Sequence, residues 1–174
     1  MIEYLSQPNS ITIKKTANQI LKETDAIRKN IDTEESLGSQ LRQYKYREFS
    51  RIIYRDILGL CPFSDVMEEL SDLSSGIVEA VLRFYSEELD TKSHGEFVVL
   101  GMGKLGGREL NLSSDIDLIY VYRDNGDPDP FYKLAEKITR LLSALTEDGF
   151  LYRVDLALRP GGGKSTVAVP IEGA

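Results

Sequence analysis

Residues 97–122, FVVLGMGKLGGRELNLSSDIDLIYVY, decide the fold of this chain of 174 residues. Two apolar runs within this stretch, at 97–100 and 116–122, have the length and composition of buried strands. The turn between them is rich in glycine, which permits backbone conformations and close ligand approaches that a Cβ would block. The glycines of this turn are Gly101, Gly103, Gly106 and Gly107. The stretch therefore predicts two strands joined by a turn against which a ligand fits.

Two aspartates stand at the start of the second strand. Asp115 and Asp117 are two residues apart, so their side chains share one face of the strand, roughly 7 Å apart along the chain. Such carboxylates repel each other unless a cation lies between them, and divalent metal ions prefer oxygen ligands. Residues 150–158 predict a later strand whose less apolar face carries Asp155, a third carboxylate for the same site. A glycine turn for phosphates beside metal-binding carboxylates indicates phosphoryl or nucleotidyl transfer.

The glycines allow two other interpretations, and both are weaker. Residues 101–106 match the G-x-G-x-x-G pattern of dinucleotide-binding proteins, but barely ten residues separate this turn from the next strand, too few for the helix of that fold. Residues 162–166, GGKST, look like the end of a phosphate-binding P-loop. That motif requires glycine at position 158, where this chain has Leu158.

Helical periodicity dominates the first 90 residues. Apolar residues recur at helical spacing in 11–31, 41–58 and 65–89, and Asp65 with Glu68 resembles a capping pair for the third helix. The polar segment 90–95 predicts a boundary, after which a helix at 129–149 and a short strand at 166–170 join the strands named above. The sequence thus predicts an α+β fold, with an N-terminal helical region at 1–90 followed by a mixed sheet flanked by helices at 91–174.

Composition narrows the classes of partner. The net charge of −7 argues against nucleic acid as the main partner, although a nucleotide needs only a local basic pocket. No apolar run has the length of a membrane span, and the N-terminus lacks the basic-then-apolar order of a signal peptide. Cys61 is the only cysteine, which excludes an internal disulfide. We therefore expect a cytoplasmic protein with no nucleic-acid and no membrane partner.

Three motifs carry a resemblance to a known family. They are GMGKLGGRELNLSSDIDLI at 101–119, TEDGFLYRVD at 146–155 and LRPG at 158–161. The order of glycine turn, Asp-x-Asp strand and later carboxylate resembles the polymerase β-type nucleotidyltransferase superfamily. The motifs themselves are similar to those of the glutamine synthetase adenylyltransferase family, and the resemblance extends over roughly residues 38–174.

The resemblance implies a polymerase β-like catalytic core and a metal-dependent enzyme. Members of the family carry two nucleotidyltransferase domains, one that attaches AMP to a tyrosine of glutamine synthetase and one that removes it by phosphorolysis, releasing ADP. The variants GMG at 101–103, SSDI at 113–116 and YRVD at 152–155 look more like the AMP-removing, N-terminal domain. Since only one such domain is present, without the helical bundle that follows it in the family, the chain is expected to be a fragment. A PII-type nitrogen-regulatory protein is an expected partner in the full-length family.

Roles for individual residues follow from the same resemblance. Asp115 and Asp117 would bind Mg²⁺ or Mn²⁺, and Asp155 would complete a two-metal arrangement or orient the attacking oxygen. Phosphates of ATP, ADP or AMP would contact a second set of residues. Two of its members have an alternative role: Ser114 could simply cap the turn, and Arg159 could be a surface residue. This set is Gly101, Gly103, Lys104, Gly106, Ser114 and Arg159.

The chain departs from the family pattern at two places, and other functions stay open. Ala157 stands where the family usually has arginine, and Ser165-Thr166 where glycine-proline is usual. The alternatives to AMP removal are ATP-dependent adenylylation of glutamine synthetase and a non-catalytic regulatory or docking module with the same fold.

Overall fold

The computed structural model describes residues 11–162 and 165–173. Within them the N-terminal part is helical, as predicted, with α1 at Ala17–Lys29, α2 at Glu34–Ile57 and α3 at Phe63–Glu88. Residues 1–10 of the predicted helical region lie outside the described residues. None of the described helices is both long enough and apolar enough to cross a membrane.

Two helix starts differ from the prediction. Helix α2 begins at Glu34 rather than near residue 41, because the Thr33 side chain accepts a hydrogen bond from Ser36 N and caps the helix there. The expected capping pair of α3 was wrong: the helix follows Pro62, which makes no side-chain cap. Asp65 and Glu68 instead bind Lys14 Nζ, at 2.9 and 2.5 Å, and so fasten the segment before α1 to α3.

The rest of the chain forms a small mixed sheet with one long helix. A 3₁₀ turn at Thr91–Ser93 leads into β1 at Gly95–Gly101, the short helix α4 at Gly103–Gly106 and β2 at Ile116–Asp124. Then follow α5 at Asp129–Ser143, β3 at Val154–Asp155 and β4 at Ala168–Pro170. Strand β2 is central: β1 pairs with it antiparallel, whereas β3 and β4 both pair with it in parallel. The predicted α+β class is confirmed.

Residues 144–158 depart most from the prediction. Helix α5 ends at Ser143 instead of Gly149, and Leu145, which the predicted helix included, is 80% exposed. A tight turn, in which Thr146 and Gly149 exchange backbone hydrogen bonds of 2.9 and 3.0 Å, follows the helix. The predicted strand at 150–158 pairs only at Val154–Asp155, because Tyr152 N donates to Leu142 O and Ala157 N donates to the Asp155 carboxylate. Backbone donors used in this way are lost to a strand ladder.

One apolar core runs through both parts of the chain. It is built from the inward faces of the helices and of β2, among them Leu37, Leu41, Leu73, Ile77, Leu118, Tyr120, Leu134 and Ile138. A smaller cluster of Ile119, Val121 and Val169, with Met102 against it, lies on the opposite face of the sheet. This alternation along β2 fixes its register, so the position of the aspartates at its start is determined by the core. The division into domains at residue 90 stays a prediction.

Buried charges tie α2 to α3. Glu69 is fully buried on α3 and accepts hydrogen bonds from the guanidinium groups of Arg51 and Arg55. It also accepts one from the backbone N–H of Lys15, at 2.9 Å. Glu48, likewise buried, binds Arg51 Nε at 2.7 Å. Each of these carboxylates faces a cation, which offsets the free-energy cost of removing it from water.

Candidate active site

The glycine turn holds Asp117 in place. Met102 N donates to Asp117 O at 2.8 Å, which fastens the end of β1 to the start of β2. Gly103 follows with a φ of +51°, a left-handed conformation that favours glycine. A Cβ at Gly103 would overlap Asp117 Oδ2 and lie 3.3 Å from Asp117 Cγ. The Asp117 carboxylate therefore occupies space that only glycine leaves open.

The sheet brings Asp117 and Asp155 together. They are direct register partners on the neighbouring parallel strands β2 and β3. Asp117 is half-buried, and its side chain makes no hydrogen bond or ion pair with the described residues. Asp155 is exposed, and its Oδ1 accepts a hydrogen bond from Ala157 N at 2.7 Å. The predicted meeting of an Asp-x-Asp strand with a later carboxylate is thus present in the pairing of the strands.

Asp115 sits just before β2 and is engaged by an arginine. Arg153 Nε donates to Asp115 Oδ1, and Arg153 Nη2 donates to the backbone carbonyl of Ser113 at 2.6 Å. The two side chains are about half exposed, at 49% for Asp115 and 57% for Arg153. An ion pair this accessible to water contributes about 1 kcal/mol or less. The arginine can therefore exchange its contact with Asp115 for another at little cost.

The carboxylates fit a divalent metal chemically, although they do not already form a three-ligand cluster. In residues 11–162 and 165–173 no three His, Cys, Asp or Glu side chains are grouped closely enough to hold a metal ion. Carboxylate oxygens are nevertheless the ligands that Mg²⁺ prefers, and Mg²⁺ commonly takes one or two carboxylates together with substrate phosphates. Asp117, whose carboxylate makes no hydrogen bond or ion pair with the described residues, offers such a ligand.

Of the residues predicted to bind phosphate, Lys104 has an unpaired charge among the described residues, whereas the glycines mainly shape the turn. Lys104 lies in α4, is exposed, and makes no side-chain hydrogen bond or ion pair with the described residues. Its charge is thus available to a ligand bound at the glycine turn. The N–H groups of Gly106 and Gly107 donate to the Met102 and Gly103 carbonyls, at 3.0 Å each, and so serve the turn itself. A Cβ at Gly106 would lie 2.5 Å from Gly101 O, so Gly106 allows the turn to close tightly.

Ser114 and Arg159 are engaged elsewhere. Ser114 Oγ accepts a hydrogen bond from Asn111 N at 3.3 Å, which is the turn-capping role considered from the sequence. Arg159 folds back on its own loop, where its guanidinium binds Leu156 O at 2.8 Å and Ser165 Oγ at 3.2 Å. Neither side chain hydrogen-bonds to the site aspartates. Their roles as phosphate ligands stay predictions.

Two residues near the site were missed in the sequence. Arg153 stands in the YRVD motif, two positions before Asp155, and its position beside an aspartate was the available signal. Lys45 lies on α2 and is only 4% exposed. Burial, reinforced by the positive charge of Arg153, lowers the pKa of Lys45 to about 8. In the sequence, the nearby aromatic residues Tyr46 and Phe49 are only a weak indication that Lys45 is buried.

The strand pairing, the glycine turn and the aspartates together define an α+β protein of the nucleotidyltransferase-like class. A model of the family described as glutamate-ammonia ligase adenylyltransferase matches residues 1–174. The chain therefore belongs to this family.

Similar proteins carry the same description. Three are bifunctional glutamine synthetase adenylyltransferase/adenylyl-removing enzymes. The one from Nitrosococcus oceani is 40% identical over 153 residues, which cover 76% of this chain and 16% of the relative. Those from Shewanella loihica and Thioalkalivibrio sulfidiphilus are both 34% identical, covering 87% and 91% of this chain and 18% of each relative. The chain thus spans less than one fifth of the length of the relatives it matches.

Proposed function

We propose that this chain is a nucleotidyl-transfer module that removes AMP from an adenylylated tyrosine of glutamine synthetase by phosphorolysis, releasing ADP. The observation that carries the proposal is the pairing of Asp117 with Asp155 on adjacent strands, with the Asp117 carboxylate seated against Gly103. The names of the relatives include both adenylyl transfer and adenylyl removal. The motif variants at 101–103, 113–116 and 152–155 favour removal.

In the proposed reaction an oxygen of orthophosphate attacks the phosphorus of the AMP–tyrosine phosphodiester. A new P–O bond forms, and the bond from phosphorus to the tyrosine oxygen breaks. That oxygen leaves with the bonding electron pair and takes up a proton, so the products are ADP and unmodified tyrosine. Because both reactants are anionic, the main tasks of the site are to position them and to neutralise their charge.

Different residues of the chain would position the reactants and neutralise their charge. Asp115, Asp117 and Asp155 would hold Mg²⁺ or Mn²⁺, which when bound would neutralise charge on the phosphate oxygens. Lys104 supplies a mobile positive charge beside the glycine turn, where the incoming phosphate would bind. Arg153 keeps its contact with Asp115, and its guanidinium carries N–H donors beyond the two that it uses here.

The proposal is tested by following the attacking group. Adenylylated glutamine synthetase is incubated with the full-length protein, Mg²⁺ and radiolabelled orthophosphate, and the nucleotide products are separated. Phosphorolysis predicts labelled ADP in amounts equal to the tyrosine freed. Unlabelled AMP would mean that water is the nucleophile and would refute phosphorolysis.

ATP-dependent attachment of AMP is the second candidate, because the relatives' names include it and the same carboxylates would serve it. A full-length protein with a second nucleotidyltransferase domain could perform that reaction elsewhere. Inactivating this domain and measuring both reactions separates the two candidates.

A further inference from the structure

A buried ammonium group that has no carboxylate partner among the described residues lies next to the site. Lys45 Nζ stands over four aromatic rings, at 4.8–5.0 Å from their centroids. These rings belong to Tyr46, Phe49, Phe150 and Tyr152. Among the described residues its one hydrogen bond is to Phe150 O, at 3.2 Å. Cation–π contacts stabilise the ammonium, yet an apolar side chain of similar size would fill the same space without the cost of burying a charge.

The hydrogen bond of Lys45 falls on a segment that leads to the site. Phe150 O also accepts a hydrogen bond from the Tyr46 hydroxyl, at 3.3 Å, so two donors from α2 hold this one carbonyl. Just before it, Ser39 Oγ binds the Asp148 carboxylate at 3.0 Å. The chain is thus fastened to α2 over residues 148–150, immediately before Arg153.

Arg153 links this fastened segment to Asp115. Its guanidinium carbon lies 5.9 Å from the centroid of the Phe150 ring, and its N–H groups bind Asp115 and the Ser113 carbonyl. The backbone of Arg153 is itself held, because Ile116 N donates to Arg153 O at 2.9 Å. A shift of the Phe150 carbonyl would move the ring beneath Arg153 and so change how the guanidinium meets Asp115.

We propose that Lys45 is a positioning residue: by holding the Phe150 carbonyl and its ring, it fixes Arg153 against Asp115, where Arg153 binds a phosphate oxygen of the substrate. This inference rests on the proposed function and adds Arg153 as a phosphate-binding residue. Nε and one N–H of Nη2 are used by Asp115 and Ser113, so among the described residues the Nη1 group keeps its donors for another acceptor. A misplacement of about 1 Å at a reacting centre lowers rates by about two orders of magnitude, so a smaller shift of Arg153 gives a measurable loss.

The test is a double-mutant cycle in the full-length protein, with AMP removal measured against orthophosphate concentration. Lys45→Met is expected to lower kcat/KM for orthophosphate about tenfold, mainly through KM. In an Arg153→Gln background the same substitution is expected to change kcat/KM less than twofold, because the residue through which Lys45 acts is gone. Equal losses in both backgrounds, or no loss in either, would overturn the proposal.

Two controls separate positioning from general stability. Arg42→Met removes another buried cation of α2 that makes no hydrogen bond to residues 148–153 in the described structure, and it should leave KM for orthophosphate unchanged. If Lys45→Met does not fold, Tyr46→Phe removes the second donor to Phe150 O and should raise KM about threefold. If that variant also keeps its KM, the proposal is wrong.

The outcome for the wild-type protein distinguishes the two proposals. If the wild type removes AMP and the Lys45→Met variant does so equally well, only the role of Lys45 is refuted. If the wild type does not remove AMP, the proposed function fails and the role of Lys45 fails with it.

Discussion

Replacing Gly103 with alanine tests the structure of the site most sharply. Its φ of +51° lies in the left-handed region, which costs a residue with a side chain about 1–2 kcal/mol. The added methyl would overlap Asp117 Oδ2, so the carboxylate must leave its position, at a further cost of roughly 0.5–1.5 kcal/mol if it takes a strained rotamer. We therefore expect Gly103→Ala to lower the free energy of unfolding by roughly 2–3 kcal/mol and to displace Asp117.

The displacement of Asp117 should appear in activity more than in stability. A shift of about 1 Å corresponds to roughly a hundredfold loss of rate. Urea unfolding and AMP removal from glutamine synthetase measure the two effects in the same preparation.

Gly107→Ala is the matched control, because Gly107 lies in the same turn with an ordinary φ of −77°. Its added methyl would lie 3.4 Å from the nearest atom, Gly103 O, which is normal contact. This variant should keep its stability within about 0.5 kcal/mol and its rate within twofold. If Gly103→Ala keeps wild-type activity, or if Gly107→Ala is equally damaging, the inferred contact between Asp117 and Gly103 is not part of the site.

The remaining predictions concern buried charge, metal and pH. Glu69→Ala leaves Arg51 without one of its buried partners and should lower the free energy of unfolding in urea by about 3–5 kcal/mol. Glu96→Ala breaks an exposed ion pair and should lower it by less than about 1 kcal/mol. Similar losses in the two variants would show that the buried pair is not the stronger one. Asp117→Asn should weaken Mn²⁺ binding in the presence of nucleotide at least tenfold, and unchanged calorimetric binding would refute its role as a metal ligand. Because burial lowers the pKa of Lys45 from 10.5 to about 8, the unfolded state binds more protons between these pH values, so Lys45 contributes a rise in stability from pH 8 to 10.5. This rise in the free energy of unfolding is roughly 3 kcal/mol, and the Lys45→Met variant should lack it. Parallel pH profiles of the two proteins would show that burial does not lower the pKa of Lys45.

The sequence predicted the elements whose signals are local. The apolar runs at 97–100 and 116–122 and the spacing of apolar residues along α1, α3 and α5 are properties of neighbouring residues, and they placed Asp115 and Asp117 at the start of a strand. The sequence likewise predicted that Asp155 could join the first two carboxylates, and Asp155 is the register partner of Asp117.

What the sequence did not predict depends on contacts between distant residues. The strand at 150–158 is short because its N–H groups are used by Leu142 O and by the Asp155 side chain, and no periodicity reports such competition. Lys45 and Phe150 are 105 residues apart in the chain, and Arg153 meets Asp115 across 38. These contacts form only when the folded chain brings the distant segments together. They bring the positively charged residues Lys45 and Arg153 to the site.

The most direct test of the central claim is to inactivate this site in the full-length protein and measure both reactions on glutamine synthetase. Asp117→Asn keeps the size of the side chain and removes its charge. We expect that the variant no longer forms labelled ADP from adenylylated glutamine synthetase and labelled orthophosphate, while ATP-dependent attachment of AMP continues at the wild-type rate. If the variant instead lost attachment and kept removal, or kept both, this domain would not be the one that removes AMP.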